Sequence, residues 1–260
     1  MPALKLAVAL KGFRLPLKKA VTAAARLGVQ AVEIDGRGEI NPQDITQTGI
    51  RQIKKLCDDH RLAVSAVEFR TRRGYNVADE LSRRIEATKA AMKFASALGA
   101  PLVVNQVGRV PDEPAGLGWQ TLVEVLADLG VYGQHVGALL AAETGSESPA
   151  QLRKLLDALP RGSLVAALNP GNLIINGFAP LDAVEVLGGE IAYVRAKDGV
   201  RDLAQGRGME VQLGRGSVDF PALLGALEQQ AYQGVICIAG ESGDSPAEAI
   251  AQGVELLRSL

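Results

Sequence analysis

The chain has 260 residues, of which 47% are hydrophobic and 22% are charged, and its formal net charge is −1. This length is sufficient for one α/β barrel or for two small domains, and either would bury a large core. A charge balance so close to zero gives no reason to expect nucleic acid or an anionic membrane as a partner.

Short runs rich in Val, Ile, Leu and Ala recur along the chain, and we predict that each is a β-strand. Segments of helical period separate these runs. Gly28, Gly99 and Gly234 stand just before strands, where a helix C-cap and a turn are expected. Ser148 is a predicted helix N-cap, with Pro149 at the first helical position. The predicted strands are 4–10, 31–35, 63–69, 102–107, 137–144, 163–170, 191–198 and 234–241.

Strands that alternate with helices predict a parallel sheet, and eight such units predict closure into a single (β/α)8 TIM barrel. The main alternative is an open doubly wound sheet, but no G-x-G-x-x-G follows the first strand. One connection, 108–120, is rich in Pro and Gly and is long enough to be a lid or a loose loop. Because no domain boundary or low-complexity tract interrupts the chain, we predict one domain over residues 1–260.

The cysteine content and the apolar segments bear on the cellular location. Cys57 and Cys237 are too few for a disulfide framework and fit a reducing compartment. The first residues lack the features of a signal peptide, and no apolar run approaches the roughly 20 residues that span a bilayer. The sequence therefore predicts a cytoplasmic protein without a membrane partner.

Polar residues follow nearly every predicted strand. In a (β/α)8 barrel the C-terminal ends of the strands carry functional residues, whereas the strand middles pack the interior. Carboxylates and guanidinium groups are accepted in a packed interior only when they are paired or hydrated. A site is therefore predicted at this end of the barrel, which we call the barrel mouth. Its candidate residues are Lys11, Glu33, Asp35, Glu68, Arg70, Asn105, Gln106, Glu143, Thr144, Asn169, Arg195, Lys197, Asp198 and Glu241.

The seventh strand directs two cations to one face. Side chains alternate along a strand, so Tyr193, Arg195 and Lys197 share a face while Val194 and Ala196 point to an apolar layer. A cationic cleft steers and holds anions, and arginine binds phosphate or carboxylate through two hydrogen bonds. The alternative is that these cations are solvated loop charges. The cations predicted around the mouth are Arg70, Arg72, Arg73, Arg109, Arg195, Lys197, Arg201, Arg207 and Arg215.

An ordered set of segments resembles the xylose isomerase-like TIM barrels, the sugar phosphate isomerase/epimerase superfamily. This resemblance implies a divalent metal site, usually Mn²⁺, held by Glu, Asp, His and Glu on the fifth to eighth strands. The metal would polarise a substrate carbonyl and hydroxyl while carboxylates move a proton through an enediolate. The segments are "LGVQAVEID", "ALGAPLVVNQVG", "LLAAETGSESP", "SLVAALNPGNLIINGFAPLDAV", "IAYVRAKDG" and "LGRGSVDFPALLGALEQQAYQGVICIAGESGD".

Three of these four implied ligands are replaced. Glu143 matches the first and is the only family ligand retained. Asn169 stands in place of the Asp, Arg195 in place of the His, and Ala239 in place of the last Glu, with Glu241 two residues later. Arginine remains protonated, has no free lone pair and repels a cation. The sequence therefore predicts no cofactor, although the family implies a metal such as Mn²⁺.

Histidine from elsewhere in the chain does not replace the lost ligand. The chain has two histidines, His60 and His135, and each stands just before a predicted strand. That position is the end of the barrel opposite the mouth. Both are expected to be surface or core residues.

The resemblance implies a divergent isomerase- or epimerase-like enzyme that acts on or binds a small, anionic, polyhydroxylated metabolite, a sugar or sugar phosphate. The alternative is a catalytically inactive barrel that binds a metabolite or another protein, and an oligomer is compatible with either. Arg195 is expected to bind an anion, to pair with Glu143 and fill the lost metal site, or to do both, since a bound anion can share the guanidinium with Glu143. The candidate residues are Glu143, Lys197 and Glu241 for catalysis, and Arg195, Asn169, Glu68, Arg70 and Asn105 for substrate binding.

Overall fold

The computed structural model describes residues 4–111, 113, 115–202, 207–241 and 245–260, without the side chains of Asp202 and Arg207. In this part of the chain each predicted apolar run forms a strand, and an additional hairpin follows the seventh. The strands are β1 (Lys5–Ala9), β2 (Ala31–Asp35), β3 (Ala63–Glu68), β4 (Leu102–Asn105), β5 (Leu139–Glu143), β6 (Val165–Leu168), β7 (Ile191–Ala196), β8 (Asp198–Asp202), β9 (Arg207–Val211) and β10 (Val235–Ile238).

The helices lie between the strands, as the alternating pattern predicts. Short 3₁₀ helices at Leu10–Phe13 and Gly188–Glu190 join neighbouring elements. Among the described residues, no helix combines the length and the apolarity that a bilayer crossing requires. The helices are α1 (Leu17–Arg26), α2 (Gln47–Asp59), α3 (Leu81–Leu98), α4 (Gly116–Val136), α5 (Pro149–Ala158), α6 (Pro170–Asn176), α7 (Pro180–Leu187), α8 (Phe220–Gln229) and α9 (Pro246–Ser259).

The barrel is closed and parallel. Its strand order is β1-β10-β7-β6-β5-β4-β3-β2, and β1 pairs with both β10 and β2. Closure confirms the predicted (β/α)8 TIM barrel and excludes the open doubly wound sheet. The carboxyl ends of all eight barrel strands consequently point to one end of the molecule, the barrel mouth.

The barrel interior is lined mainly by alanine, which leaves space for a few large side chains. Tyr193 lies in this interior layer, whereas Val194 and Ala196 belong to the layer between the strands and the helices, as the alternation predicts. Arg195 is the largest fully buried side chain of the described residues. The interior residues are Ala7, Ala9, Ala31, Ala66, Leu102, Val104, Ala141, Ala167, Tyr193, Cys237 and Ala239.

The hairpin of β8 and β9 is anchored by one buried carboxylate. Asp198 accepts hydrogen bonds from the backbone N–H groups of Gly199 (2.8 Å), Gly214 (3.0 Å), Gly216 (2.8 Å) and Val218 (3.1 Å). These bonds tie the start of the hairpin to the loop that follows it. The antiparallel hairpin packs on α6 and brings its second strand back to the mouth.

Most of the predicted helix ends are confirmed. Gly99 is the C-cap of α3 with a φ of 82°, and Gly28 follows the end of α1 with a φ of 66°. The prediction for Gly234 is wrong, because α8 ends at Gln229 and Gln230 is its C-cap. Ala231 takes the positive φ there, at 55°. The backbone therefore turns well before Gly234 and needs no left-handed residue at that position.

The predicted loop 108–120 is shorter than the sequence indicates. α4 begins at Gly116, so residues 116–120 of the segment are helical. Residues 112 and 114 lie outside the described part of the chain. Helix-compatible residues after Gly116 override the Pro- and Gly-rich composition that predicts a loop.

Replacing Ser148 by alanine should lower the free energy of unfolding by about 1 kcal/mol. Ser148 Oγ accepts from the N–H of Gln151 (3.2 Å), and the Gln151 side chain accepts from the N–H of Ser148 (2.7 Å), which forms a capping box. Alanine leaves the first of these N–H groups without its partner. Urea unfolding measures the change, and Ser82→Ala, at an exposed position in the first turn of α3, is the control. Equal losses in both variants would contradict a capping role.

Candidate functional site

Three buried carboxylates surround one buried guanidinium in the barrel mouth. Arg195 on β7 is 1% exposed. Its Nη1 lies 2.6 Å from Glu143 Oε1 and 3.0 Å from Glu68 Oε1, and its Nη2 lies 2.8 Å from Glu33 Oε1. We call these four residues the Arg195 cluster. Its carboxylates come from β2, β3 and β5, so the barrel brings together side chains that are distant in sequence.

Further donors hold two of the three carboxylates. Arg70, whose side chain is 38% exposed, donates from Nε to Glu68 (2.6 Å) and from Nη2 to Glu143 (2.9 Å). Asn169 donates from Nδ2 to Glu143 at 2.8 Å. Lys11 Nζ lies 3.8 Å from Glu68. Glu68 and Glu143 therefore each have donors besides Arg195.

Glu33 lacks this additional support. Its Oε2 and the Nε of Arg195 are buried atoms without a hydrogen-bond partner in the described structure. Burial raises the pKa of Glu33 to about 7, because it outweighs the attraction of Arg195 while the other two carboxylates repel the charge. Burial opposes ionisation of Glu68 as well, but Arg195 and Arg70 hold its pKa at about 2. The same two arginines lower the pKa of Glu143 against the effect of burial.

A second ion pair lies at the rim of the mouth. The nearly buried Lys197 places Nζ 2.9 Å from Glu210 Oε2 and 3.9 Å from Glu241 Oε1. Glu210 also accepts from the backbone N–H of Glu241 at 2.6 Å. Lys11 lies 3.5 Å from Glu241, which connects this rim pair to the Arg195 cluster.

The structure places the predicted site residues in two connected groups and one separate position. Glu68, Arg70, Glu143, Asn169 and Arg195 are in contact, and Lys197 joins Glu241. Asn105 is separate, since its Oδ1 accepts from the N–H of residue 71 (3.1 Å) and its Nδ2 donates to the hydroxyl of residue 75 (2.9 Å). The side chain of Asn105 thereby fixes the loop after β3.

The sequence places Glu33 and Lys11 among the strand-end candidates but assigns neither a catalytic nor a binding role. Glu33 shares the inward face of β2 with Ala31, and this alternation is a usable signal for its place in the cluster. Glu210 carries no such signal, because it reaches the mouth only through the folding of the hairpin. Glu147, in the loop after β5, is also buried, and burial raises its pKa to about 7 against the opposing hydrogen bond from Ser146.

The comparisons with known proteins agree with this architecture. A family model described as xylose isomerase-like TIM barrel matches residues 21–260. The chain belongs to this family. The resemblance inferred from the sequence is thus confirmed. No curated protein matches this xylose isomerase-like chain in sequence.

Solved structures share the fold of this xylose isomerase-like barrel at low identity. A xylose isomerase domain protein from Planctomyces limnophilus is 23% identical with a TM-score of 0.88, covering 99% of this chain and 97% of that one. D-allulose 3-epimerase from Methylomonas sp., in complex with D-allulose, is 18% identical with a TM-score of 0.77, covering 99% and 97%. The 3-keto-D-glucoside 4-epimerase of E. coli is 16% identical with a TM-score of 0.77, covering 99% and 100%.

The residues of this xylose isomerase-like barrel do not fit the metal that the resemblance implies. A guanidinium stands where the three carboxylates converge, and a divalent ion about 4 Å away would meet a repulsion of roughly 8 kcal/mol at an effective dielectric of 20. Ala239 offers no ligand, and Asn169 is hydrogen-bonded to a carboxylate. His60 is the C-cap of α2 and His135 lies in the last turn of α4, both at the end away from the mouth. Among the described residues, no group of three or more His, Cys, Asp or Glu is placed to hold a metal.

The charges of the mouth are matched. Each of the predicted cations Arg70, Arg195 and Lys197 contacts a carboxylate. When Glu33 is protonated, four cations face four carboxylates among the described residues of the mouth. These described residues therefore carry no excess positive charge. The cations are Lys11, Arg70, Arg195 and Lys197, and the carboxylates are Glu68, Glu143, Glu210 and Glu241.

Proposed function

We propose that this chain binds and acts on a small polyhydroxylated molecule in the barrel mouth without a divalent metal. The observation that carries the proposal is the Arg195 guanidinium, held by three carboxylates at the place where the family resemblance implies a metal. The fold neighbours support the ligand class, because they include sugar epimerases, one of them with D-allulose and another with D-fructose.

The partly exposed side chains of the mouth are the ones that a ligand would contact. Arg70, Lys11 and Glu241 are 38%, 39% and 38% exposed, whereas the Arg195 cluster lies beneath them. Sugar hydroxyls both donate and accept hydrogen bonds. A surface of alternating cations and carboxylates can therefore bind a sugar even when the sugar carries no net charge. The buried Arg195 cluster would hold the partly exposed side chains of the mouth in fixed positions for binding.

Within this proposal the carboxylates have different roles. Glu143 is held by Arg195, Arg70 and Asn169, which favour its ionised form, so it orients other groups and is a poor proton acceptor. Glu241 reaches the solvent-exposed part of the mouth beside Lys197 and is the candidate base. The second candidate function is an inactive barrel that only binds a metabolite or a protein, and the mutual pairing of Arg195 and Glu143 favours it.

The metal-free proposal predicts no change in the unfolding midpoint when Mn²⁺ or a chelator is added at matched ionic strength. A ligand at a hundred times its Kd would add about 2.7 kcal/mol, which a melting curve resolves readily. A midpoint that rises with Mn²⁺ and falls with the chelator would refute metal independence.

Catalysis is tested by hydrogen exchange in D₂O with D-allulose, D-fructose and related ketoses. Isomerases and epimerases remove a carbon-bound hydrogen next to the carbonyl, and the solvent returns deuterium, which NMR detects. We expect exchange in the wild type and a loss of about a hundredfold or more in Glu241→Gln, which is the typical contribution of a general base. Glu228→Gln, at an exposed position on α8, is the control. Binding without exchange would support the inactive barrel instead.

A further inference from the structure

A cleft next to the barrel mouth collects arginines from three segments. It has a volume of about 400 Å³ and lies between the loop after β2, the loop after β3 and the first turn of α3. Two carboxylates, Asp79 and Glu80, also line it. We call it the arginine cleft. Its arginines are Arg37, Arg72, Arg73, Arg83 and Arg84.

The two carboxylates neutralise only two of the five arginines. Arg73 forms an ion pair with Asp79, and Arg83 lies 3.2 Å from Glu80. Neither acid has a further cationic partner among the described ion pairs. Three guanidinium charges of the cleft are therefore not compensated by these carboxylates.

Neutral groups hold Arg37 in position. Its Nε donates to the backbone carbonyl of Arg70 at 2.7 Å, and its guanidinium carbon lies 4.5 Å from the centre of the Phe69 ring. A carbonyl and an aromatic face orient a guanidinium but leave its positive charge in place. The charge of Arg37 is therefore ordered, and no carboxylate of the described residues forms an ion pair with it.

Arg84 is held by backbone carbonyls, and Arg72 is exposed. Arg84 donates to the backbone carbonyls of Asp79 (2.9 Å) and Val77, and its Nε is buried without a hydrogen-bond partner in the described structure. Arg72 is exposed, and no ion pair of the described residues includes it. Arg84 thus adds a fixed positive charge to the cleft, and Arg72 adds guanidinium donors that no ion pair of the described residues engages.

We propose that the arginine cleft binds a phosphoryl group. The paired N–H donors of a guanidinium match the spacing of phosphate oxygens, so that two parallel hydrogen bonds form. A guanidinium that is already fixed loses little conformational entropy when it binds. α3 begins at Leu81 in the wall of the cleft, so the positive end of a long helix adds to the potential. The cleft is larger than a phosphate ion and has room for part of the molecule that carries it.

The cleft adjoins the barrel mouth through Arg70. The backbone carbonyl of Arg70 holds Arg37, while its side chain contacts Glu68 and Glu143. The phosphoryl group thus has two sources, free phosphate or a phosphorylated sugar whose other end lies in the mouth. Phosphate binding to the cleft does not require the proposed function, since none of the mouth carboxylates takes part in it.

Isothermal titration calorimetry at fixed ionic strength tests this site with inorganic phosphate, D-fructose 6-phosphate and D-fructose. The variant combines Arg37→Ala and Arg72→Ala, both at exposed positions, so that folding is preserved. We expect both phosphate probes to bind the wild type and the double variant to raise their Kd by about tenfold or more. Arg51→Ala, at an exposed position on α2, is the control and should leave each Kd unchanged.

The probes separate the two sources. Tighter binding of D-fructose 6-phosphate than of phosphate supports a phosphorylated sugar, whereas equal binding supports free phosphate. The proposal is overturned if neither phosphate probe binds, or if the double variant binds them as well as the wild type does. A further outcome is that phosphate binding depends on the two arginines while no ketose shows hydrogen exchange. That result would contradict the proposed catalysis and leave the phosphoryl site supported.

Discussion

Replacing Arg195 by methionine should lower the free energy of unfolding by about 3–5 kcal/mol. The change removes the cation that Glu33, Glu68 and Glu143 share, and all three remain buried. A buried carboxylate without its partner keeps the cost of desolvation and loses the attraction that offsets it. Urea unfolding at pH 7 measures the loss, and Arg51→Met on the exposed face of α2 is the control.

A second substitution shows whether the loss comes from the carboxylates. Without Arg195, Glu33 must take up a proton on folding at pH 7, because its attraction to the cation is gone. Adding Glu33→Gln to Arg195→Met removes this cost and should restore part of the stability, so that the two changes are not additive. A loss below about 1 kcal/mol in Arg195→Met, in the range of an exposed ion pair, would contradict the role assigned to the cluster. Strict additivity would contradict the coupling between residues 33 and 195.

The wild type should lose on the order of 2–3 kcal/mol of stability from Glu33 alone between pH 5 and pH 8. In the folded state the pKa of Glu33 is raised from 4.5 to about 7. The folded protein therefore binds more protons than the unfolded chain in this range, and stability falls as the pH rises through 7. Glu147, whose pKa is also raised to about 7, contributes in the same direction.

Glu33→Gln isolates the contribution of this residue. A neutral amide cannot ionise, so the variant should show a shallower decline between pH 5 and pH 8, and it should be more stable than the wild type at pH 8. Below pH 4.5 both proteins should lose stability, because the depressed pKa values of Glu68 and Glu143 oppose protonation in the folded state only. Urea unfolding across the pH range measures both effects. A decline as steep as that of the wild type would disprove the assignment, and Glu228→Gln is the matched control.

The barrel and the centre of its site could be predicted from the sequence because both follow from local patterns. Apolar runs with helices between them specify the strands, and alternation along β7 places Arg195 inside. Closure of the barrel then brings the strand ends together. The pairing of Arg195 with Glu143 was one of the two interpretations that the sequence left open, and the structure contains that pair.

The remaining features depend on contacts that no local pattern encodes. Glu33 meets Arg195 across 162 residues, and Glu210 reaches Lys197 only because a hairpin folds back over the mouth. The ion pairs of Arg70, Arg195 and Lys197 with carboxylates likewise depend on contacts between distant segments, which a count of arginines does not reveal. Arg72 and Arg73, both predicted to lie around the mouth, line the adjoining arginine cleft.

The Arg195 cluster also has a kinetic consequence. Its contacts join β7 to β2 and β5 across sequence separations of 162 and 52 residues. Contacts between residues so distant in sequence are expected to form late in folding, because the conformational entropy of the intervening loop must be lost first. Interactions that are absent from the transition state slow unfolding and leave the folding rate nearly unchanged. The Arg195 guanidinium, at the position where the family resemblance implies a metal, would thus lower the unfolding rate and prolong the lifetime of the folded barrel.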